Sequence, residues 1–417
     1  MAHKVQDSCR ICNGALKKVL DLGNIYPSNF VAKTEGEPVP LALMECKDCG
    51  LVQLEHTVNL DDMYRTYFYQ SAINPSMVKS LQDVITDIEN TIKIEDEDII
   101  VDIGCNDGVM FTLYKNKINF KVGYDPALNL ADKAKKNCSF FINDYFTRES
   151  YGFKKAKIIT AIAMFYDLPN PNIFVKDIAE ILTDDGIFVI QFTDLLSMMK
   201  INAIDNICHE HLEYYKLSDV RNLLNKHGLD IFKVSYNNVN GGSIRVFAGK
   251  NFVYPIENSV LQALEDEKAY LDNFEDPVKS FAERVNKVKR ITLDFLTRAE
   301  NAGIRLYGMG ASTKGNTLLQ YFGINKRLIP VIAEVNPDKF GKFTIGSNIP
   351  IISEEEAFNE HPEMFFVLPW HFIEDFIDRN KTFLEDGGAF IVPLPEPVIY
   401  YLEEGGLKWT SLEKVLG

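Results

Sequence analysis

Ile99-Ile100-Val101-Asp102-Ile103-Gly104-Cys105-Asn106-Asp107-Gly108-Val109-Met110 is the stretch from which the rest of this chain is read. Apolar residues run into Asp102, a glycine follows two places on, and Asn106-Asp107-Gly108 closes the run. A short apolar run bounded by turn residues is the pattern of a buried parallel strand ending in a tight turn. If that turn lies under a ligand, glycine is needed at Gly104 and Gly108, because a side chain would hold the backbone away. The next apolar run, 120–124, ends at Asp125, 23 residues after Asp102. An acidic residue at the tip of the second strand is where a doubly wound domain grips the two hydroxyls of a ribose. An ordinary strand and turn would explain the glycines but not the acidic residue at strand spacing.

The turn reads GCNDG rather than GxGxxG and has no GK[ST] ending, which favours S-adenosylmethionine over a dinucleotide or ATP. In this it resembles class I methyltransferases. The candidate cofactor residues are Asp102, Gly104, Asn106, Asp107, Gly108 and Asp125. Strands near 139–143, 157–164 and 186–192 alternate with helices, which gives a parallel sheet binding ligands at the carboxyl ends of its strands. Asp144 follows one of these strands and is either near the adenine or a helix cap. Tyr166 follows another and is a candidate pocket wall.

The 417 residues, 46% of them hydrophobic, can bury substantial cores. At roughly 150 residues per domain they make about three domains. No apolar run approaches the roughly 20 residues that span a bilayer, and the start MAHKVQDSC lacks the apolar core of a signal peptide. A cytoplasmic location without a membrane partner is therefore expected. A formal charge of -15 and a pI near 5.0 repel a phosphate polymer, so nucleic acid is not an expected partner. Seven cysteines, an odd number, argue for reduced thiols and metal ligation before disulfides.

Four of those cysteines stand as Cys9-Arg10-Ile11-Cys12 and Cys46-Lys47-Asp48-Cys49, each pair followed by a turn-forming glycine. Two CxxC knuckles supply four thiolates at the spacing of a closed structural zinc site. With all four positions taken by sulfur, no open site remains, so the metal should hold the fold rather than do chemistry. The 33 residues between the pairs are expected to form a small sheet of their own. Beyond this module comes MYRTYFYQSAINPSM, 63–77, with Tyr64, Tyr67 and Tyr69. It reads as a packed aromatic linker, or as tyrosines that line a cleft and offer hydroxyls to a sugar.

The chemically richest run is Asp205-Asn206-Ile207-Cys208-His209-Glu210-His211-Leu212-Glu213-Tyr214-Tyr215. Histidines two apart do not make the HExxH zinc pattern, and no further cysteine pair lies nearby to complete a metal site. Imidazole suits removal of a proton made acidic by an adjacent carbonyl, and Glu210 can orient the ring or hold its positive charge. A structural role for His209 or His211 remains the alternative.

Further on, 239–247 reads as a strand entered through Gly241-Gly242-Ser243 after Asn240, which either brings backbone close to a ligand or makes a plain bend. Arg245 meets a phosphate or an acidic surface. Long charged helices fill 258–302. From Ile304 the strand-turn-helix pattern restarts with GMGASTKG, in which Gly310, Ser312 and Lys314 form a candidate phosphate site at a helix start. A second strand ends at Glu334, so the ribose-gripping spacing recurs. His371 is structural or at a cleft rim.

The CxxC pairs, the DxGxNDG turn, HEHLEYY, GGS and GMGASTKGN, in this order, resemble the nucleotide-sugar C-methyltransferases that act on 4-keto-deoxysugars. That resemblance implies an α/β fold in three parts: a zinc-knuckle domain at 1–62, a class I Rossmann-like methyltransferase domain at 63–235, and a second Rossmann-like domain at 236–417. It implies S-adenosylmethionine and a structural Zn2+ as cofactors and a nucleotide-linked sugar as substrate. His211 maps to the general base and Glu210 to its neighbour, with His209 completing the motif; a monomer is expected. Cys208 stands where the family tends to have tyrosine, Asn240 where it has histidine, and Gln191 where it has glutamate. Three rivals remain at this level: sugar O-methylation with the same base, an NAD oxidoreductase using the GMGAS turn, and a zinc docking protein without activity.

Overall fold

The computed structural model describes residues 2–67 and 69–417, apart from the side chain of Asn240. Strand Ile99–Ile103 is buried at every position and is an interior strand of a seven-stranded sheet. On one side of it lie Phe120–Tyr124 and Phe140–Ile142; on the other lie Ala156–Ile162 and Leu182–Phe192, all parallel. The chain reverses its direction of travel across the sheet beside Ile99–Ile103, which opens a crevice at the carboxyl ends of two neighbouring strands. Strand Ser243–Lys250 runs antiparallel to both Leu182–Phe192 and the edge strand Leu229–Asn237. The sheet therefore continues past residue 235, where the sequence reading placed a domain boundary. The turn Val239–Gly241, read as part of a strand, joins the last two strands, with Gly241 and Gly242 at φ +88° and +120°.

The N-terminal module is a four-stranded antiparallel sheet of Leu16–Ile25, Val39–Cys46, Val52–Leu54 and Glu213–Tyr214. Its outermost strand comes from the HEHLEYY run, far away in sequence. Leu20, Leu41 and Leu43 pack into one apolar core with Met198, Ile204, Phe281 and Val285, whereas Cys9, Ile11 and Cys46 pack with the seven-stranded sheet. The module is thus wedged between the two α/β halves.

Asn258–Leu271 and Pro277–Asn301 are helices, as the charge pattern predicts. In the second, Val278, Phe281, Val285, Val288, Ile291 and Phe295 are buried at helical spacing, and Asp276 caps the start by accepting from Lys279 N. The C-terminal sheet runs in the order Ile351–Ser353, Ile332–Glu334, Leu306–Met309, Met364–Val367, Ala389–Val392, Val398–Glu403, Gly406–Ser411. Its first five strands are parallel and its last two antiparallel. Among the described residues no helix is long and apolar enough to cross a membrane.

Candidate active site and metal centre

All three parts meet around one cavity of about 900 Å³. The first strand pair supplies its floor. Asp102 is buried, and Thr160 Oγ1 donates to its Oδ1 at 2.6 Å; burial pushes its carboxyl up to about 7. Asp125 accepts one amide on each oxygen, from Asn106 N at 2.8 Å and Ala127 N at 2.9 Å. Each oxygen keeps acceptor capacity, and the residue lines the cavity. Gly104, at φ +73°, also lines it, and a Cβ there would lie 3.0 Å from Met164 Cγ.

The rest of the turn also holds neighbouring segments in place. Asn106 lines the cavity, but its side chain accepts from Ser71 N at 3.0 Å and donates to Tyr69 O at 3.1 Å. Asp107 accepts from Ala72 N at 2.9 Å and Val109 N at 3.2 Å and does not line the cavity. Gly108 admits the helix Ala131–Asn137: a Cβ would lie 3.1 Å from Asn137 Cβ. The Asn-Asp pair therefore pins the tyrosine segment across the crevice. Arg65 and Asn129 add to this, through Asp144 at 2.9 Å and the backbone of Tyr67. Tyr64, Tyr67, Tyr69 and Asp144 all line the cavity.

The HEH run crosses the other wall. Leu212 N donates to Tyr166 O at 2.7 Å, and the two rings of Tyr166 and His211 lie 4.1 Å apart between centroids. His211 Nδ1 is 2.8 Å from Asn206 O, so Nδ1 carries the proton and Nε2 presents a lone pair. Burial first, and then the charge of Lys314, push the ring down to about 3, which keeps it neutral. Glu210 and Cys208 line the same wall, where burial raises both groups above their ordinary values. The chain bends at His209 and Glu210. His209 consequently faces away into the N-terminal sheet, with Nε2 3.2 Å from Val39 O, and does not line the cavity.

From the C-terminal half, Lys314 and His371 reach the cavity. The other residues expected there do not. Gly310, at φ +78°, is closed over by Pro369, whose ring would lie 2.7 Å from a Cβ. Ser312 caps the helix Thr313–Phe322 by accepting from Gly315 N at 3.0 Å. Glu334 accepts from Val335 N and Asn336 N at 2.8 and 3.0 Å and pairs with Lys339 at 3.1 Å. Lys339 also donates to Ala311 O at 2.8 Å, across the glycine-rich turn.

The GGS segment is likewise turned inward. Ser243 Oγ donates to Val239 O at 2.9 Å, Gly242 lies against Ser197, and only the preceding Asn237, Asn238 and Val239 line the cavity. The side chain of Asn240 lies outside the described residues. Arg245 is buried; it donates to Gln191 Oε1 at 2.9 Å and to Asp83 O, and pairs with Asp87. Its charge is met within the central domain, where Gln191 helps to hold it.

Two residues were not singled out from sequence. Asp167, next to Tyr166, lines the cavity and is raised far above the usual carboxylate range by burial and by Glu210. Its place in the short turn Phe165–Asp167, which follows the strand Ala156–Ile162 at the carboxyl edge of the sheet, was the available signal. Asp205 accepts from Trp370 Nε1 at 2.9 Å and faces the charge of Lys314, a contact between halves that no local pattern announces.

The four knuckle sulfurs lie within 4.8 Å of one another, with Cys9–Cys49 at 3.6 Å and Cys12–Cys46 at 3.4 Å. A tetrahedral zinc with sulfurs at about 2.3 Å needs sulfur pairs roughly 3.8 Å apart, so the donor set fits. Amides of Gly14, Asp48 and Cys49 point at Cys12 and Cys46 Sγ at 3.4 to 3.5 Å, as donors that support thiolates do.

Three family descriptions match successive parts of the chain. Residues 9–64 match a zinc binding domain, 77–234 a methyltransferase domain, and 238–395 a C-methyltransferase C-terminal domain. C-methyltransferase NovU of Streptomyces niveus is 29% identical over 411 residues, which cover 95% of this chain and 97% of that protein. Solved structures overlap in part. Magnesium protoporphyrin IX methyltransferase of Synechocystis PCC 6803 with bound SAM is 14% identical at a TM-score of 0.32, over 42% of this chain and 79% of its own. An S-adenosylmethionine-dependent methyltransferase of Clostridium acetobutylicum ATCC 824 is 11% identical at 0.33, over 42% and 92%.

Proposed function

The chain belongs to a family of S-adenosylmethionine-dependent C-methyltransferases, and from that premise we propose that it methylates a nucleotide-linked 4-keto deoxysugar at the carbon beside the ketone, with His211 as base. The observation that carries the proposal is the hydrogen bond from His211 Nδ1 to Asn206 O. It leaves Nε2 as the acceptor in a cavity shared with Asp125 and Lys314.

Asp125, with acceptor capacity left on both oxygens, fits the ribose of the cofactor, and Gly104 gives its chain a bare stretch of backbone. When bound, S-adenosylmethionine supplies a methyl group on a positively charged sulfur. Zinc, held by Cys9, Cys12, Cys46 and Cys49, supplies structure only.

The reading gives each wall of the cavity a task. A ketone acidifies the proton on its neighbouring carbon, and neutral His211 accepts that proton at Nε2. Glu210 beside it then holds the imidazolium. The negative charge that develops on the sugar oxygen meets the ammonium of Lys314. Burial holds the hydroxyls of Tyr64, Tyr67 and Tyr166 well above their ordinary pKa, so they remain O–H donors. The tyrosine segment pinned by Asn106 and Asp107 keeps water from the carbanion and holds the reacting atoms in line, which can be worth on the order of 7 to 11 kcal/mol at best. We place the protein in a reducing, cytoplasmic setting, where the thiols of Cys9, Cys12, Cys46 and Cys49 stay available as metal ligands.

The test is incubation with nucleotide-linked 4-keto sugars and methyl-labelled S-adenosylmethionine, read by mass spectrometry and NMR. A labelled methyl bonded to carbon, with the adjacent proton gone, is expected. A methyl on oxygen with that proton retained would sink the proposal.

A further inference from the structure

Glu213 lies two residues beyond His211, and its side chain is wholly buried. A carboxylate in such a place needs a counter-charge. It comes from Arg10, between the ligands of the first knuckle: Arg10 Nε lies 3.5 Å from Glu213 Oε1, and the arginine side chain is 1% exposed. The guanidinium is fixed in turn, donating from Nη2 to Thr57 Oγ1 at 2.8 Å. The Arg10 amide donates to Gln53 Oε1 at 2.9 Å, and Gln53 is the residue directly opposite Glu213 in the antiparallel pairing.

The second knuckle grips the same segment. Lys216 Nζ donates to Gly50 O at 2.8 Å, next to Cys49. Leu54 N donates to Leu212 O at 2.9 Å, and on the other side of His211 the ring of His209 meets Val39 O at 3.2 Å. Neither Arg10, Gly50, Glu213 nor Lys216 lines the cavity. The segment that carries His211 is therefore clamped from behind by both knuckles at once, and only its front face takes part in the cavity.

We infer that the buried Arg10–Glu213 pair is a positioning device, by which the zinc-knuckle module sets the place of the His211 ring. A buried ion pair is a poor source of stability, since apolar residues of similar volume commonly do as well; what it fixes is register and direction. One charged contact two residues from the ring, together with the strand pairing, holds the imidazole against Tyr166 and Asn206 O. The two metal knuckles form the rigid frame behind it, so the module acts on the reaction without touching the sugar. This rests on His211 being the base.

The test uses the full, zinc-loaded chain. Arg10→Met combined with Glu213→Leu removes both charges without leaving either alone, and Glu213→Gln removes one while keeping the shape. Zinc content, S-adenosylmethionine affinity by calorimetry, the nitrogen resonances of the His211 ring, and exchange of the sugar proton with D2O are measured on each. Expected are full zinc, unchanged cofactor affinity, a shifted or broadened His211 signal, and exchange and kcat lower by about a hundredfold at little change in KM. Arg10→Lys, which keeps the charge, should restore part of the rate.

A wild-type His211 signal and rate in either variant would overturn the inference. So would loss of zinc or of cofactor affinity in step with the rate, which marks general damage. His211→Gln separates this from the reading it rests on: if that variant still exchanges the proton, the base assignment falls, while the His211 resonance in the double variant still decides whether the pair places the ring.

Discussion

The two glycine-rich turns of this chain look alike in sequence and differ in what fills the space above them. At Gly104 the turn faces a cavity, and Asp125 at the next strand end keeps acceptor capacity on both oxygens. At Gly310 the same space holds Pro369, and Glu334, which does not line the cavity, takes two neighbouring amides on one oxygen and Lys339 on the other. A strand, a glycine turn and an acidic residue at the right spacing thus specify a backbone, whereas a ligand site also requires that nothing else occupy it. The second half contributes one cation, Lys314, to the crevice of the first.

The largest effect should follow from removing that cation. Lys314→Met is expected to lower kcat/KM by about 10² to 10³ at unchanged S-adenosylmethionine affinity, because it removes a charge aimed at the developing oxyanion. The His211 ring should at the same time bind its proton more readily, since the charge of Lys314 helps to hold it low. Steady-state kinetics and an NMR titration check both; equal loss of cofactor affinity would place Lys314 in the wrong crevice.

Next comes the contrast of the two acidic residues. Asp125→Ala should weaken S-adenosylmethionine by roughly 1.5 to 3 kcal/mol, about ten- to a hundredfold, as the loss of hydrogen bonds to a charged group does. Glu334→Ala should leave that affinity alone and lower the melting temperature. Calorimetry that finds equal effects on binding would erase the difference drawn here.

Gly310→Ala brings a methyl group to 2.7 Å from the Pro369 ring at a positive φ and should cost about 1 to 3 kcal/mol of stability. Gly104→Ala carries the same positive-φ strain, at +73°, but meets only the flexible Met164 side chain; it should cost less stability than Gly310→Ala and in addition weaken the cofactor. Urea unfolding beside calorimetry separates the two; a Gly310→Ala chain of wild-type stability would show that Pro369 does not close the turn.

The last contrast is in pH dependence, and its effect is spread over several units. His211 titrates near 3 when folded against 6.5 in the ordinary case. The unfolded chain therefore takes up the proton first, so this contribution is present above pH 6.5 and lost as pH falls toward 3, at about 1.4 kcal/mol per unit. His211→Gln should flatten the fall in stability over that window by one proton. Identical slopes would mean the ring is not held neutral.

What was legible in the sequence was local. Ile99 to Asp125 could be read because apolar runs and turn residues follow one another along the chain, and the cysteines because metal spacing is short-range. Arg245 could not: its partners Gln191 and Asp87 come from other elements, and a lone arginine after a glycine pair looks equally ready for phosphate. Asn106 and Asp107 carry a second task that no local pattern announces. They stand in the cofactor turn, but their side chains bind the backbone of residues 69–72, which only the folded chain brings near. The strand Glu213–Tyr214 was hidden because two residues carry no periodicity, and its partner lies in another module.

The account stands most directly on the proton that His211 is said to remove. A nucleotide-linked 4-keto sugar incubated in D2O with wild-type enzyme should exchange the proton beside the ketone, and His211→Gln, with its cofactor affinity intact, should not. Exchange at the wild-type rate in His211→Gln would contradict it.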